Sequence, residues 1–145
     1  MSTDFVFRTA TIDDIDGISR LWNAAGLGGD DAYNRHEITV RLREDDGFFV
    51  VGAPSGETDT LRAVVMGCND NHRGWIQRVA VDPAVRGRGM GGEALSALTL
   101  ALRDAGVTAL HLEVDRDSPV ADFYGRLGFR KRDRYCLMTA ELKTG

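Results

Sequence analysis

Glycine and arginine alternate in a short stretch of the second half of the chain, "VRGRGMGG", residues 85–92. Four of its residues are glycine and two are arginine. A strand-like apolar run precedes the stretch, and leucines at helical spacing follow it. Backbone N–H groups at a helix N-terminus attract anions, and glycine lets a phosphate approach the backbone closely. The pattern therefore predicts an anion-binding turn at the start of a helix.

Two common phosphate-binding turns are excluded by what surrounds these glycines. Gly87, Gly89 and Gly92 match the dinucleotide-binding fingerprint, and Glu113 follows about 20 residues later, as that fingerprint requires. However, "DPAV" separates the glycines from the preceding strand, and that strand follows a predicted hairpin rather than opening a doubly wound sheet. No Gly-Lys-Ser or Gly-Lys-Thr follows, which excludes the phosphate loop of the nucleotide triphosphatases. A pyrophosphate carried by another cofactor is the remaining interpretation.

A second motif lies further along the chain, "DSPVADFYGRLGF", residues 117–129. Together with the glycine turn it resembles the GNAT N-acetyltransferase family. The family's turn has Arg or Gln, two residues, Gly, one residue, then Gly or Ala, and after "VAVDPAV" this chain has Arg86-Gly87-Arg88-Gly89-Met90-Gly91. Four residues of the second motif stand at the family's spacing: Phe123, Tyr124, Gly128 and Phe129. Asp117 replaces a common asparagine, and an aspartate cannot donate the hydrogen bond that an amide can.

The resemblance covers about residues 5–143 and is most specific over residues 75–129. The turn "NDNHRG" after "VVMG" resembles an uncharacterised bacterial subgroup of the family. It implies an acyltransferase that moves an acetyl group from acetyl-CoA to a primary amine by direct attack in a ternary complex. The acceptor would be a small molecule or a protein amine; no metal, nucleic acid or membrane would take part, and a homodimer is an option. The residues implied in cofactor binding are Val79, Ala80, Val81, Arg86, Gly87, Arg88, Gly89, Met90, Gly91, Gly92, Asp117 and Tyr124.

Tyr124 is the residue that the resemblance implies as the general acid. A phenol with a pKa of about 10 stays protonated at neutral pH, so it can give its proton to a departing thiolate. Helical spacing predicts that Val120, Phe123 and Leu127 form the buried face of the last helix, with Tyr124 beside that face. The sequence therefore predicts a tyrosine hydroxyl that points into a cleft.

The general base stays unassigned. Arg73 occupies the region where many relatives have a glutamate, and His72 is a weak candidate because a near-neutral pKa suits the task. Three acids are alternatives, directly or through a water: Asp70, Glu113 and Asp115. The rival function is a non-catalytic module that binds or senses acyl-CoA. The acceptor, and whether a longer acyl-CoA is the donor, also stay open.

The elements that must position these residues follow from periodicity. Alternation predicts strands at residues 5–10, 48–53, 60–68, 75–81, 108–114 and 135–142, with another short strand near Phe129 as an option. A cap at Thr11, with Asp14 three residues on, and helical spacing predict a helix over 11–26. The same kinds of signal predict helices over 35–45, from the glycines to near Gly106, and from Ser118-Pro119 to Gly128. The order β-α-α-β-β-β-α-β-α-β predicts a mixed α/β fold with a mostly antiparallel sheet, as in the GNAT family, in one domain over residues 1–145.

Composition restricts the function further. The chain has 145 residues with 43% hydrophobic and 28% charged residues, and no apolar run long enough to span a membrane. The N-terminus lacks the features of a signal peptide, so a cytoplasmic protein is expected. Cys68 and Cys136 lie in apolar runs and are predicted to be buried, inert thiols. Residues 1–70 hold 13 acids and 6 bases, and acids concentrated in residues 24–46 suit a cationic acceptor or an ordinary solvated surface.

Overall fold

A computed structural model of the protein describes residues 4–143. Its strands are β1 (Phe5–Thr9), β2 (Phe49–Pro54), β3 (Ala63–Asp70), β4 (Arg73–Val81) and β5 (Ala109–His111). Its helices are α1 (Ile15–Ala25), α2 (Asp31–Leu42), α3 (Met90–Asp104) and α4 (Val120–Arg126). Two short 3-10 helices, Ile12–Asp14 and Pro83–Val85, precede α1 and α3. The observed order is therefore β-α-α-β-β-β-α-β-α.

The five strands form one sheet in the order β1-β2-β3-β4-β5. The first four are antiparallel neighbours, and β5 pairs in parallel with β4. The hairpin predicted from residues 48–53 and 60–68 is confirmed as β2–β3. The mixed α/β fold with a mostly antiparallel sheet is also confirmed.

The two faces of this sheet carry different helices. Strand side chains alternate between faces, and the set that includes Val51, Val64, Met66 and Ala80 packs in one core with residues of α1 and α2, among them Trp22. On the alternate face, α3 packs against β2 and β3, where a Cβ added to Gly67 would meet Leu98 of α3 at 3.1 Å. The sheet therefore lies between an α1–α2 layer and α3.

The entry to α1 follows the predicted cap. Asp14, three residues after Thr11, accepts a hydrogen bond from the Thr11 N–H at 2.8 Å. Both Asp14 oxygens also accept from the Arg8 guanidinium at 2.7 Å. Burial opposes ionisation of Asp14, but the bonds from Arg8 and Thr11 outweigh it, so the pKa of this carboxyl is lowered.

The chain divides into two compact units, which meet in sequence between Glu113 and Val114. The larger unit holds the sheet and helices α1 to α3, and the smaller one holds α4. The expectation of one domain over residues 1–145 stays a prediction. Among the helices of residues 4–143, none is both long enough and apolar enough to cross a membrane.

Several details of the smaller unit correct the sequence predictions. The strand predicted at 135–142 does not form, nor does one near Phe129, and residues 130–143 carry no helix or strand. A strand requires a partner for its backbone N–H and C=O groups, and none pairs with this segment among the described residues. Apolar side chains of the segment are consequently exposed, including Leu137 and Met138.

The cysteines and the face of α4 also differ from expectation. Cys136 is exposed and Cys68 is half-buried, so neither is the buried thiol that was predicted. Burial raises the pKa of the Cys68 thiol above its usual value. Val120 of α4 and its C-cap residue Leu127 are exposed, whereas Tyr124 is buried. The helix is thus rotated relative to the prediction, because packing of Tyr124 with Phe129, rather than helical spacing alone, decides its inner face.

Candidate functional site: a glycine turn beside an open strand edge

The glycine turn has the backbone that its sequence predicts. Gly87 and Gly89 have φ of +82° and +83°, a region that is costly for any residue with a Cβ. Gly89 is the N-cap of α3, and the helix begins at Met90. The Met90 side chain is fully buried, so it fixes the first turn of the helix on the sheet. Gly91 and Gly92 complete this first turn within α3.

The turn presents a series of free backbone donors. The N–H of Arg86 donates to Pro83 O at 3.3 Å, and the N–H of Glu93 donates to Gly89 O at 3.1 Å. Between them, no group within residues 4–143 accepts a hydrogen bond from the N–H groups of residues 87–92. These donors also lie at the positive end of the α3 dipole, so the arrangement suits a pyrophosphate.

The two arginines of the turn differ in their surroundings. The Arg88 guanidinium lies over the Phe5 ring of β1, 5.1 Å from the ring centroid. Arg86 is exposed, and its side chain makes no hydrogen bond or ion pair with the described residues. Both cations therefore lie beside the free N–H groups of the turn, although only Arg88 has an aromatic neighbour.

An ion-pair network anchors the turn to the sheet. The Asp82 carboxylate accepts from Ala84 N at 2.9 Å and from Arg62 Nη1 at 2.7 Å, and Arg20 of α1 lies 3.6 Å away. The hydrogen bond from the Ala84 N–H, followed by the one from Arg62, lowers the pKa of Asp82. Asp82 thus joins α1, the start of β3 and the 3-10 helix immediately before the glycines.

The outer edge of β4 is open after its first residues. β5 pairs with β4 only from Arg73 to Trp75, and it ends at His111. A register shift between Met66 and Gly67 marks a bulge in the β3–β4 ladder immediately beyond this point. From there to Val81, no strand within the described part of the chain pairs with the side of β4 that faces away from β3. A bulge of this kind increases strand twist and helps to separate β4 from β5.

Backbone alternation decides which residues of β4 face that open edge. The N–H of Asp82 donates to Arg62 O at 2.7 Å, so this pair is hydrogen-bonded, and every second pair along the antiparallel ladder shares that state. The backbone N–H and C=O groups of Ala80, which lies opposite Val64, therefore hydrogen-bond to β3. Those of Val79 and Val81 point outward, away from β3. The sequence prediction placed Val79, Ala80 and Val81 together, and the register separates Ala80, which is also buried, from the other two.

In the smaller unit, Tyr124 lies between two aromatic rings. The Phe123 and Phe129 ring centroids are 5.1 and 5.7 Å from that of Tyr124, both edge-on. Burial raises the pKa of the Tyr124 hydroxyl above its usual value, because ionisation would place a charge in this environment. No group of residues 4–143 hydrogen-bonds to that hydroxyl. Tyr124 is therefore held protonated, with its proton not committed to an internal acceptor.

The other residues considered for catalysis are exposed. His72 lies in the β3–β4 turn, where its N–H donates to Asp70 O at 2.8 Å and its C=O accepts from Thr108 N at 3.1 Å. Asp70 pairs with Arg73 at 2.7 Å. Asp117 is exposed, and its N–H donates to Asp115 Oδ1 at 3.1 Å. None of these contacts selects a general base. Across residues 4–143, no group of three or more potential metal ligands comes together.

Three of the six acids in residues 24–46 pair with arginines, a pattern that sequence reasoning missed. Arg35 pairs with Asp31 at 2.9 Å, Arg41 pairs with Asp46 at 3.0 Å, and Arg78 of β4 pairs with Glu37 at 3.1 Å. The Arg78–Glu37 partners are 41 residues apart, so no local signal could have indicated them.

The comparison with known proteins agrees with this geometry. The family model described as "Acetyltransferase (GNAT) family" matches residues 15–129. The chain belongs to the GNAT acetyltransferase family. It is 30% identical over 122 residues, 83% of this chain and 84% of the relative, to Acetyltransferase ECA0875 of Pectobacterium atrosepticum.

Solved GNAT structures share the fold. Ard1 from Thermoplasma volcanium superposes with a TM-score of 0.75 at 22% identity, covering 88% of this chain and 84% of Ard1. The PaiA N-acetyltransferase from Thermoplasma acidophilum, in complex with coenzyme A, has a TM-score of 0.75 at 17% identity, covering 92% of both chains. This GNAT protein is an acyltransferase with acetyl-CoA as its donor, and the glycine turn and the open β4 edge fit that donor.

Proposed function

We propose that this GNAT protein acetylates a primary amine by direct attack within a ternary complex. One observation carries the proposal: the free N–H groups of residues 87–92 follow β4 after one short 3-10 helix, and Val79 and Val81 of that strand direct unpaired backbone groups outward. A pyrophosphate and an extended amide-bearing arm are the two parts of coenzyme A that such donors suit.

Each part of the site has its own task in this proposal. The backbone of residues 86–92 and the cations of Arg86 and Arg88 hold the pyrophosphate, and the outward groups of Val79 and Val81 pair with the pantetheine arm. Acetyl-CoA supplies an activated acetyl group. One of the outward N–H groups polarises the thioester carbonyl, as donors of an oxyanion hole do.

In this proposal Tyr124 is the general acid. The amine nitrogen bonds to the acetyl carbon as the carbon–sulfur bond breaks, and Tyr124 gives its proton to the departing sulfur. The nitrogen releases its surplus proton to solvent, and Tyr124 regains one from solvent. The hydroxyl is protonated at neutral pH and has no acceptor among residues 4–143, which supports this role, because a deprotonated or committed hydroxyl could not act as the acid. His72, Asp70, Glu113 and Asp115 are not selected as the base.

An amine panel tests the function. Purified protein is incubated with acetyl-CoA and single primary amines, and release of free thiol is followed together with the mass of the acetylated amine. We expect release of thiol that depends on both substrates and yields one acetamide per thiol. Thiol release without an acetylated amine, or no release with any small amine or peptide, would contradict the proposal.

A further inference from the structure

We propose that the acceptor carries a carboxylate beside its amine, as an amino acid does, and that Arg78 is the residue that selects it. This inference rests on the proposed function, since it concerns the acceptor side of the same strand edge. It replaces the expectation of a purely cationic acceptor, which the acids of residues 24–46 suggested.

The position of Arg78 is the first support. Arg78 immediately precedes Val79, whose backbone faces the open edge of β4. Adjacent Cα atoms lie about 3.8 Å apart, so the two residues serve the same short length of strand. The Arg78 side chain extends to the α1–α2 face, where its guanidinium carbon lies 5.0 Å from the Trp22 ring centroid. An amine that reaches the edge from this face meets Arg78.

The hydrogen bonding of the guanidinium is the second support. Nε and Nη2 of Arg78 donate to the Glu37 carboxylate at 3.1–3.3 Å. Nη1 has no acceptor among residues 4–143. The Arg78 side chain is 23% exposed, so it is not closed off from solvent. A guanidinium edge with free N–H donors matches a carboxylate in geometry and charge. Because Glu37 already holds the Arg78 guanidinium in place, less side-chain entropy is lost when a carboxylate binds to it.

The balance of donors and acceptors around Arg78 is the third support. The indole N–H of Trp22, whose ring lies below Arg78, is the one buried side-chain polar group within the described residues that has no hydrogen-bond partner. Glu37 is the acceptor in contact with Arg78, and its carboxylate already takes the Nε and Nη2 bonds. The cluster therefore has more donors than acceptors, and it would be completed by an anionic group rather than by a second cation.

Matched acceptors test the inference on the wild-type enzyme. Each α-amino acid of a panel is compared with its carboxamide and with the amine that lacks the carboxylate. We expect kcat/KM to favour the carboxylate form by about 10- to 100-fold, the range for a hydrogen bond to a charged group. An enzyme that acetylates the carboxamide equally well overturns this inference and leaves the proposed function intact. An enzyme that acetylates no amine at all overturns both.

Variants separate selection from structure. We expect R78M to lose the preference, mainly through a higher KM for the carboxylate acceptor, and R78K to regain part of it. E37Q should retain the preference, because it leaves the guanidinium in place. The control is R35M, which removes a comparable ion-paired arginine of α2 and should leave the preference unchanged. If R78M does not fold, R78K and E37Q provide the test. A preference for the carboxylate acceptor as strong as wild type in R78K, or complete loss of that preference in E37Q, contradicts the assignment.

Discussion

Arg62 Nη1 lies 2.7 Å from Asp82 Oδ2, and this pair ties the N-cap of the 3-10 helix before the glycine turn to the residue immediately before β3. Asp82 also caps the 3-10 helix that leads into the turn through the Ala84 N–H. The Asp82 side chain is 13% exposed, so its interactions are more protected from solvent than those of a surface ion pair. The orientation of the free donors at 87–92 therefore depends on Asp82.

Removal of this anchor should weaken binding of acetyl-CoA. We expect Asp82→Ala to raise the dissociation constant about 10-fold, since it removes the cap and both arginine contacts. Asp82→Asn should have a smaller effect because the amide oxygen can still accept from Ala84 N. Calorimetric titration with acetyl-CoA measures both. Asp16→Ala is the control, as it breaks the exposed 2.6 Å pair with Arg35; an equal loss in that variant would argue against a specific role for Asp82.

Gly89→Val should abolish detectable binding of acetyl-CoA. Its φ of +83° is costly for a residue with a Cβ, by about 1–2 kcal/mol, and the side chain would cover the donors of the turn. Gly91→Val should also impair binding, by blocking the approach of phosphate to the first turn of α3.

A second glycine with positive φ separates the loss of stability caused by a side chain from the loss of affinity for acetyl-CoA. Gly56, in the β2–β3 turn, has φ of +85°, and a Cβ there, as at Gly89, would meet no atom within 4 Å. Gly56→Val should lower the melting temperature as much as Gly89→Val and leave the affinity for acetyl-CoA unchanged. If Gly89→Val binds acetyl-CoA like wild type, the pyrophosphate lies elsewhere.

Tyr124→Phe should lower kcat by about 10²–10⁴, the usual range for a general acid. The ring remains between Phe123 and Phe129, so stability should change little. Affinity for acetyl-CoA should change far less than kcat, because the proton is needed in the transition state. Steady-state kinetics and calorimetry provide the two values, with exposed Tyr135→Phe as control.

The pH profile of the same reaction offers an independent check on Tyr124. Burial raises the pKa of its hydroxyl, so the loss of activity caused by its ionisation should lie above about pH 10 and should be absent from Tyr124→Phe. The loss of rate in that variant should also shrink with an acyl donor whose leaving thiol has a low pKa. Wild-type kcat in Tyr124→Phe would remove this residue from the mechanism.

Asp31 should make stability depend on pH in the acidic range. Hydrogen bonds from Ser19, Asn23 and Arg35 lower the pKa of Asp31 from its usual 3.8 to about 2. A lowered pKa in the folded state stabilises the fold above the unfolded pKa, and this contribution is lost as pH falls toward about 2. In Asp31→Asn, the free energy of unfolding should vary less with pH between about 2 and 3.8. The urea midpoint, measured as a function of pH, checks this.

A neighbouring aspartate provides the control for that experiment. Asp30 caps α2 through the Tyr33 N–H at 2.8 Å, and asparagine is an equally good cap. Asp30→Asn should therefore keep the stability of the wild type at neutral pH, which shows whether an Asp-to-Asn change at the start of α2 is by itself disruptive. A dependence that is unchanged in Asp31→Asn would mean that the three hydrogen bonds do not stabilise the ionised carboxylate.

Local features of this protein could be predicted from the sequence because their partners are near in the chain. The capping pair Thr11 and Asp14, the hairpin of β2 and β3, and the glycines that require positive φ are all of this kind. The family followed from two motifs of fixed spacing, one at the turn and one around Tyr124. Such signals depend on backbone conformation and periodicity, which a few consecutive residues determine.

Other contacts form only because distant parts of the chain become neighbours, and these were decided by the tertiary structure. Arg78 of β4 and Glu37 of α2 meet because both elements contribute to the core on the α1–α2 face of the sheet. Asp82 meets Arg20 and Arg62 because α1 and the residue before β3 lie beside it. The register of β3 with β4 decided that Val79 and Val81, and not Ala80, face outward. A strand pattern at 135–142 was likewise insufficient, since a strand forms only where a partner pairs with its backbone.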